Sequence, residues 1–148
     1  MVENCRIRRM TVITKTIEIN SKGENDMVDI TDQTLKAMHE TNLKDGIVTV
    51  FVSGSTGAIT TIEYEPGLRS DFPKMLNRIV PRNIDYAHDK TWHDGNGHSH
   101  IRASLIGPSL TIPFKDGNLI LGTWQQIVFF ELDTRSRERT ITIQMIGE

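Results

Sequence analysis

The chain has 148 residues, with 17 lysines and arginines against 19 aspartates and glutamates and a formal net charge of −2. That length suits one domain, residues 1–148, able to bury its own core, and it excludes an eight-fold β/α barrel, which takes about 250 residues. The charge balance excludes the basic stripe that neutralises a nucleic-acid backbone, so no nucleic-acid partner is expected.

At the start, Arg6, Arg8 and Arg9 beside an apolar strand read as a solvated edge. Cys5 is the single cysteine, which rules out an intrachain disulfide and suits a reducing compartment. The N-terminal stretch lacks the apolar run of a signal peptide, and no stretch reaches the ~20 apolar residues of a membrane span. A cytoplasmic protein without a membrane partner is expected.

From Met10 to Ile19, Ile13, Ile17 and Ile19 alternate with Thr14, Thr16 and Glu18, the period of a half-buried strand. Thr31 or Asp32 then caps a predicted helix carrying Leu35, Met38 and Leu43, with Gly46 near its end. Residues 47–52 are nearly all apolar, as for a central strand covered on both faces. Ser53-Gly54-Ser55-Thr56-Gly57 follows as a backbone nest able to cradle an anion, although no Lys-Ser/Thr ending makes it a P-loop.

Glu63 and Glu65 share one face of a strand end, where they could hold Mg²⁺ or form a solvated edge. A second helix is predicted after a Ser70 or Asp71 cap. Phe72, Met75, Leu76, Ile79 and Val80 recur at helical spacing, Pro73 lies in the first turn and Pro81 stops it. The apolar stripe should lie on a sheet.

The segment from Tyr86 to His100 concentrates the chemistry. His88, His93, His98 and His100, four of the chain's five histidines, sit there among Asp85, Asp89, Asp94, Gly95 and Gly97. Imidazole ligates metals and shuttles protons near neutral pH, so the run reads as a site. If residues 98–100 are extended, His98 and His100 converge on one ion or phosphate. If they are helical, the rings diverge by about 200° and cannot share a ligand. A divalent metal, Mg²⁺ or Zn²⁺, on His88, His98 and His100 is one expectation, and no organic cofactor is predicted. A short helix over 101–105 and the Gly107-Pro108-Ser109 turn offer backbone N–H groups to a phosphorylated substrate, with Ser109 as a phosphate ligand.

Residues 109–114 and 118–122 flank Lys115-Asp116-Gly117, the turn chemistry of a tight hairpin. Gly122-Thr123-Trp124-Gln125 ends a strand, with Trp124 expected in the core. A strand over 127–132 precedes the clean alternation of Ile141, Ile143 and Met145 with Thr140, Thr142 and Gln144. At least six strands and two main helices without regular β-α alternation predict an α+β fold, a largely antiparallel β-sandwich.

In order, Ile59-Thr60-Thr61-Ile62-Glu63 with Pro66 and Asp71, Tyr86-Ala87-His88-Asp89, Asp94-Gly95-Asn96-Gly97-His98-Ser99-His100, Leu105-Ile106-Gly107-Pro108-Ser109, Gly122-Thr123-Trp124-Gln125 and Glu131-Leu132-Asp133 with the following arginines resemble the YjbQ family, also called secondary thiamine-phosphate synthase. The resemblance implies a small α+β sandwich assembled as a homotrimer, with sites near subunit boundaries. It implies joining of a hydroxymethylpyrimidine diphosphate to a thiazole phosphate with diphosphate release. Carried over by position, Glu63, His88, Asp94 and His100 become catalytic candidates, and Ser99, Thr123 and Gln125 bind substrate. Many members carry a histidine in the loop where this chain has Gly54, and His98 is the candidate replacement.

Two readings of other classes stand beside this one. A non-catalytic homotrimer would bind a metabolite or metal without turnover, and a zinc-dependent hydrolase would hold stoichiometric zinc.

Overall fold

The computed structural model describes residues 9–148, so Cys5, Arg6 and Arg8 lie outside the described residues. The elements follow in the order β1 (Thr11–Asn20), β2 (Met27–Asp29), α1 (Thr31–His39), β3 (Gly46–Val52), β4 (Gly57–Ile62), α2 (Pro66–Ile79), α3 (Ala87–Trp92), α4 (Gly97–Ile106), β5 (Ser109–Lys115), β6 (Asn118–Leu119), β7 (Gln126–Glu131) and β8 (Glu138–Gly147). The strands form a five-stranded sheet in the order β1-β8-β3-β5-β6 and a three-stranded sheet in the order β2-β7-β4, with every pairing antiparallel. The expected α+β sandwich is the observed architecture.

Alternation sets the register. Ile13 pairs with Met145 and Ile17 with Ile141, which sends their side chains to one face together with Val48, Val50 and Val52 of β3. That inner face packs on Ile59, Ile127 and Phe129 of the smaller sheet and on Ala37 and Met38 of α1. Residues one step along β7 face the other way, where Val128 and Phe130 meet Leu76 of α2 and Ala103 of α4. Strand β7 is therefore buried on both faces, and truncating a side chain such as Phe129 to alanine should cost about 3–5 kcal/mol. The Asp116-Gly117 turn has φ of 51° and 76°, the left-handed pair that matches the twist of the β5–β6 hairpin.

Three expectations are corrected. Strand β3 is central in its sheet, but Ile47 and Phe51 stay exposed because, among the described residues, no helix or second sheet covers that face. Helix α2 begins at Pro66, earlier than predicted, because Glu65 is its cap: the carboxylate accepts from Gly67 N at 2.5 Å and from Leu68 N, which places Pro73 in the helix interior. Its stripe is only half covered, with Leu76 buried and Ile79 59 % exposed. Trp124 is exposed in the β6–β7 connection and takes no part in the core.

Among the described residues, no helix is long and apolar enough to cross a membrane.

Candidate active site at the facing ends of α3 and α4

The chain reverses between α3 and α4 through two left-handed residues, His93 at φ 58° and Gly95 at φ 64°. Asp89 fixes the return, its Oδ1 accepting from Gly97 N at 2.8 Å. Glycine is required at 97: a Cβ there would lie 2.5 Å from Tyr86 Cβ, so this residue permits α4 to start against the entry to α3. The tight turn brings His88 of α3 and His100 of α4 face to face, with ring centroids 4.3 Å apart and planes at 47°.

Asp94, from the turn itself, places Oδ1 3.5 Å from His88 Nε2. With its amide turned to satisfy its neighbours, buried Asn96 donates to His88 Nε2 at 3.1 Å and to Asp94 Oδ1 and Oδ2 at 3.1 and 3.2 Å. Burial, followed by the nearby His88, lowers the pKa of His100 below its ordinary value, against the opposing pull of Asp94, Asp133 and Asp89. His100 thus carries an available lone pair at neutral pH. Beyond it, Gly54, Ser55, Gly57, Ala103, Ser104 and Pro108 complete the lining of a cleft of about 150 Å³.

Residues 97–100 are helical, which separates His98 from His100. His98 is 1 % exposed and meets Glu24 Oε1 at 3.1 Å through Nε2. Glu24 also receives Arg102 Nη1 at 3.0 Å and Arg82 Nη1 at 2.7 Å. Arg102 in turn bonds the Val80 carbonyl through Nε and Nη2 at 3.1 and 2.8 Å. His98 is therefore part of a clamp joining α4 to the end of α2 and the β1–β2 connection, and the shared ligation by His88, His98 and His100 expected from an extended chain is corrected. Desolvation lowers the pKa of His98, with Glu24 working against it and Arg102 and Arg82 adding to it. Among the described residues no three His, Cys, Asp or Glu side chains form a group able to hold a metal ion. The donors of one chain do not fit a preformed Mg²⁺ or Zn²⁺ site.

The remaining candidates divide by position. Ser99 is fully buried in the first turn of α4, and its Oγ has no hydrogen-bond partner among the described residues. Ser109 opens β5 next to Pro108 of the cleft. Glu63, Thr123 and Gln125 lie at the far end of β4 from Gly57: Gln125 Nε2 donates to Thr61 Oγ1 at 3.1 Å and its Oε1 accepts from Gly122 N at 3.1 Å, while Glu63 and Thr123 are exposed. At ~3.3 Å per residue, β4 spans about 16 Å between Gly57, which lines the His100 cleft, and this group.

A second charged network, not anticipated from the sequence, underlies the loop over 53–56. Arg139 grips Glu131 in bidentate fashion, Nε to Oε2 at 2.8 Å and Nη2 to Oε1 at 2.6 Å, and Nη2 also donates to Thr56 Oγ1 at 2.8 Å. Asp133 accepts from Thr56 Oγ1 at 3.2 Å and from Arg137 Nε at 2.9 Å. Burial works against the Asp133 carboxylate, but the bond and charge of Arg137 prevail and hold its pKa low. Glu131 raises that of Arg139 over the opposing effect of burial. A signal for the pair was present in the alternation, since Arg139 falls in step with Ile141 and Ile143, and Glu131 with Ile127 and Phe129.

Residues 15–148 match the family model described as UPF0047 protein YjbQ-like. The chain belongs to this family. It is 36% identical over 132 residues to a UPF0047 protein of Methanocaldococcus jannaschii, covering 88% of this chain and 92% of that one. It is 32% identical over 135 residues to the UPF0047 protein YugU of Bacillus subtilis, covering 90% and 98%. Among solved structures, a YbjQ-like protein of unknown function from Sulfolobus solfataricus superposes with a TM-score of 0.87 at 35% identity, over 95% of this chain and 100% of that one. These YjbQ-like relatives bear a family designation only, and the Sulfolobus structure is described as of unknown function. The thiamine-phosphate-forming reaction that the resemblance implied is therefore withdrawn.

Proposed function

We propose that the His88–His100 pair with Asp94 is an acid–base site acting on a small phosphorylated molecule. The observation that carries this reading is the facing of two imidazoles at 4.3 Å beside a carboxylate, at the mouth of a cleft. His100, neutral through burial, removes a proton from the substrate, and His88, oriented by Asp94 and Asn96, supplies one to the leaving atom. A positioned acid–base pair contributes about 10²–10⁴-fold to rate. The reading places the protein in the cytoplasm, where the single Cys5 would stay reduced.

The candidate residues sit at two ends of β4, too far apart in one copy to close round a small ligand. Assembly as a homotrimer, part of the same proposal, would bring Glu63, Thr123 and Gln125 of a neighbour to the histidine pair. A divalent cation would then take donors from two copies or from the substrate's own oxygens.

The test is turnover of a panel of small phosphate and diphosphate esters by wild type, His88→Gln and His100→Ala, with metal analysis and sedimentation of the same samples. Loss of about 100-fold or more in kcat for both variants, with folding retained, is expected. Turnover that survives His100→Ala rejects the site, and tight ligand binding without turnover by the wild type selects the non-catalytic reading.

A further inference from the structure

Beside Gly54, which lines the cleft together with His100, lies a guanidinium that the acid–base reading does not use. Arg139 spends Nε and Nη2 on Glu131 and Thr56, but its Nη1 makes no hydrogen bond among the described residues. That nitrogen lies directly beneath Gly54: a Cβ built on Gly54 would stand 2.9 Å from Nη1, and among the described residues, its chain neighbours aside, only Arg139 Cζ also comes within 4 Å of that Cβ. The absence of a side chain at 54 is therefore what leaves the third nitrogen of the guanidinium reachable from the loop side. Gly54 and His100 line the same cleft.

The loop adds donors of its own. Strand pairing engages Val52 N with the Pro108 carbonyl and resumes at Gly57, whereas the amides of Ser53, Gly54 and Ser55 donate no hydrogen bond among the described residues. Three consecutive unengaged N–H groups, the hydroxyls of Ser53 and Ser55 and a guanidinium edge make a donor-rich surface. Such a surface selects an oxyanion with several acceptor oxygens and no proton to give.

Charge supports the same ligand. Arg139 and Arg137 balance Glu131 and Asp133, so the network beneath the loop has no net negative charge to repel an anion. Arg139 is held rigidly, its side chain 11 % exposed, so binding costs little ordering of the guanidinium. Gly54, which stands over Nη1, lines the cleft with His100, and His100 also feels Asp133.

We infer that Arg139, reached over Gly54, and the amides of residues 53–55 form the subsite that takes the phosphoryl group of the substrate, placing the reacting bond beside His100. This rests on the acid–base reading for the word substrate, but the binding of a phosphoryl oxyanion stands apart from turnover.

The probe is inorganic phosphate, added to the intact protein. Phosphate should shift the Arg139 side-chain Nε–H resonance and bind saturably. Gly54→Val, which fills the space over Nη1 without removing any charge, should weaken it by about tenfold or more, the scale of one charge-assisted hydrogen bond. The backbone at 54 is not left-handed, but a Cβ 2.9 Å from Nη1 makes the guanidinium shift, so Arg139→Lys, which keeps the charge without that contact, is the companion variant and should weaken phosphate likewise, with thermal unfolding of both reporting any loss of the Glu131 pair. Wild-type affinity in Gly54→Val, or an Arg139 resonance unmoved at saturating phosphate, overturns the subsite. His100→Ala separates the two proposals: phosphate binding that persists in it supports the subsite whether or not any ester is turned over, while loss of binding equal to that of Gly54→Val assigns the oxyanion to the imidazole and overturns the role of Arg139.

Discussion

His88 and His100 come from different helices yet stand with ring centroids 4.3 Å apart, close enough for the charge of one to act on the other. The first prediction concerns that coupling. Replacing His88 with glutamine keeps bulk over His100 but removes the imidazole that, after burial, lowers its pKa, so the His100 titration should move upward. Asp94→Asn removes a group that raises it and should move the midpoint downward. Opposite displacements in an NMR titration of His100 Cε1–H are expected; displacements of the same sign would show that the rings are not paired as described.

Much of this arrangement was legible in the residues, for reasons that can be assigned. Strict alternation over 11–20 and 138–147 has one solution that buries the isoleucines, and Asp116-Gly117 is a turn with a sterically defined geometry. The convergence of positions 88 and 100 followed from a glycine-punctuated polar segment that no core requires. The destination of His98 was not legible, because the backbone state of Gly97 to His100 decides it and glycine, histidine and serine prefer neither state strongly. Its partner Glu24 is distant in sequence, in a connection with no pattern of its own. The Glu131–Arg139 pair was concealed differently: both charges occupy inward positions of strands, and reading them as inward requires trusting register over hydropathy.

Gly97→Ala should be the most damaging single-atom change at the site. Its Cβ would lie 2.5 Å from Tyr86 Cβ and 2.9 Å from Cγ, where the buried ring begins that is held by a bond from its hydroxyl to the Pro81 carbonyl. Overpacking of this kind costs about 1–3 kcal/mol. Denaturant unfolding should show that loss, and the mutual influence of the two histidine titrations should weaken as α4 moves off α3.

Glu131→Gln tests the network beneath the loop. The carboxylate is fully buried and accepts from Arg139, Ser21 and the Asp133 amide, so the neutral amide leaves a buried guanidinium without its counter-charge. Removing one partner of such a pair costs about 3–5 kcal/mol. Replacing both residues, Glu131→Leu with Arg139→Met, should cost less than either single change, since no orphaned charge remains. A double variant as unstable as the sum of the singles would show that the charges do not interact.

Acid stability offers the last test, and its sign follows from the direction of two shifts. Both His98 and His100 have folded-state pKa values below the unfolded value of ~6.5, so between those values the unfolded chain binds more protons than the folded one. Their contribution is fully present above ~6.5 and declines as pH falls through that value toward the lowered ones. His98 meets the carboxylate of Glu24 and, near it, the cations Arg102 and Arg82, so a third positive charge there enters a site already supplied with two. His98→Gln retains a donor toward Glu24 but cannot titrate. Unfolding free energy followed from pH 8 downward should fall less steeply below ~6.5 in His98→Gln than in wild type, and less steeply again when His100→Gln is added. A wild-type slope undiminished by the double substitution would place the acid-sensitive groups elsewhere, outside both ends of α4's first turn.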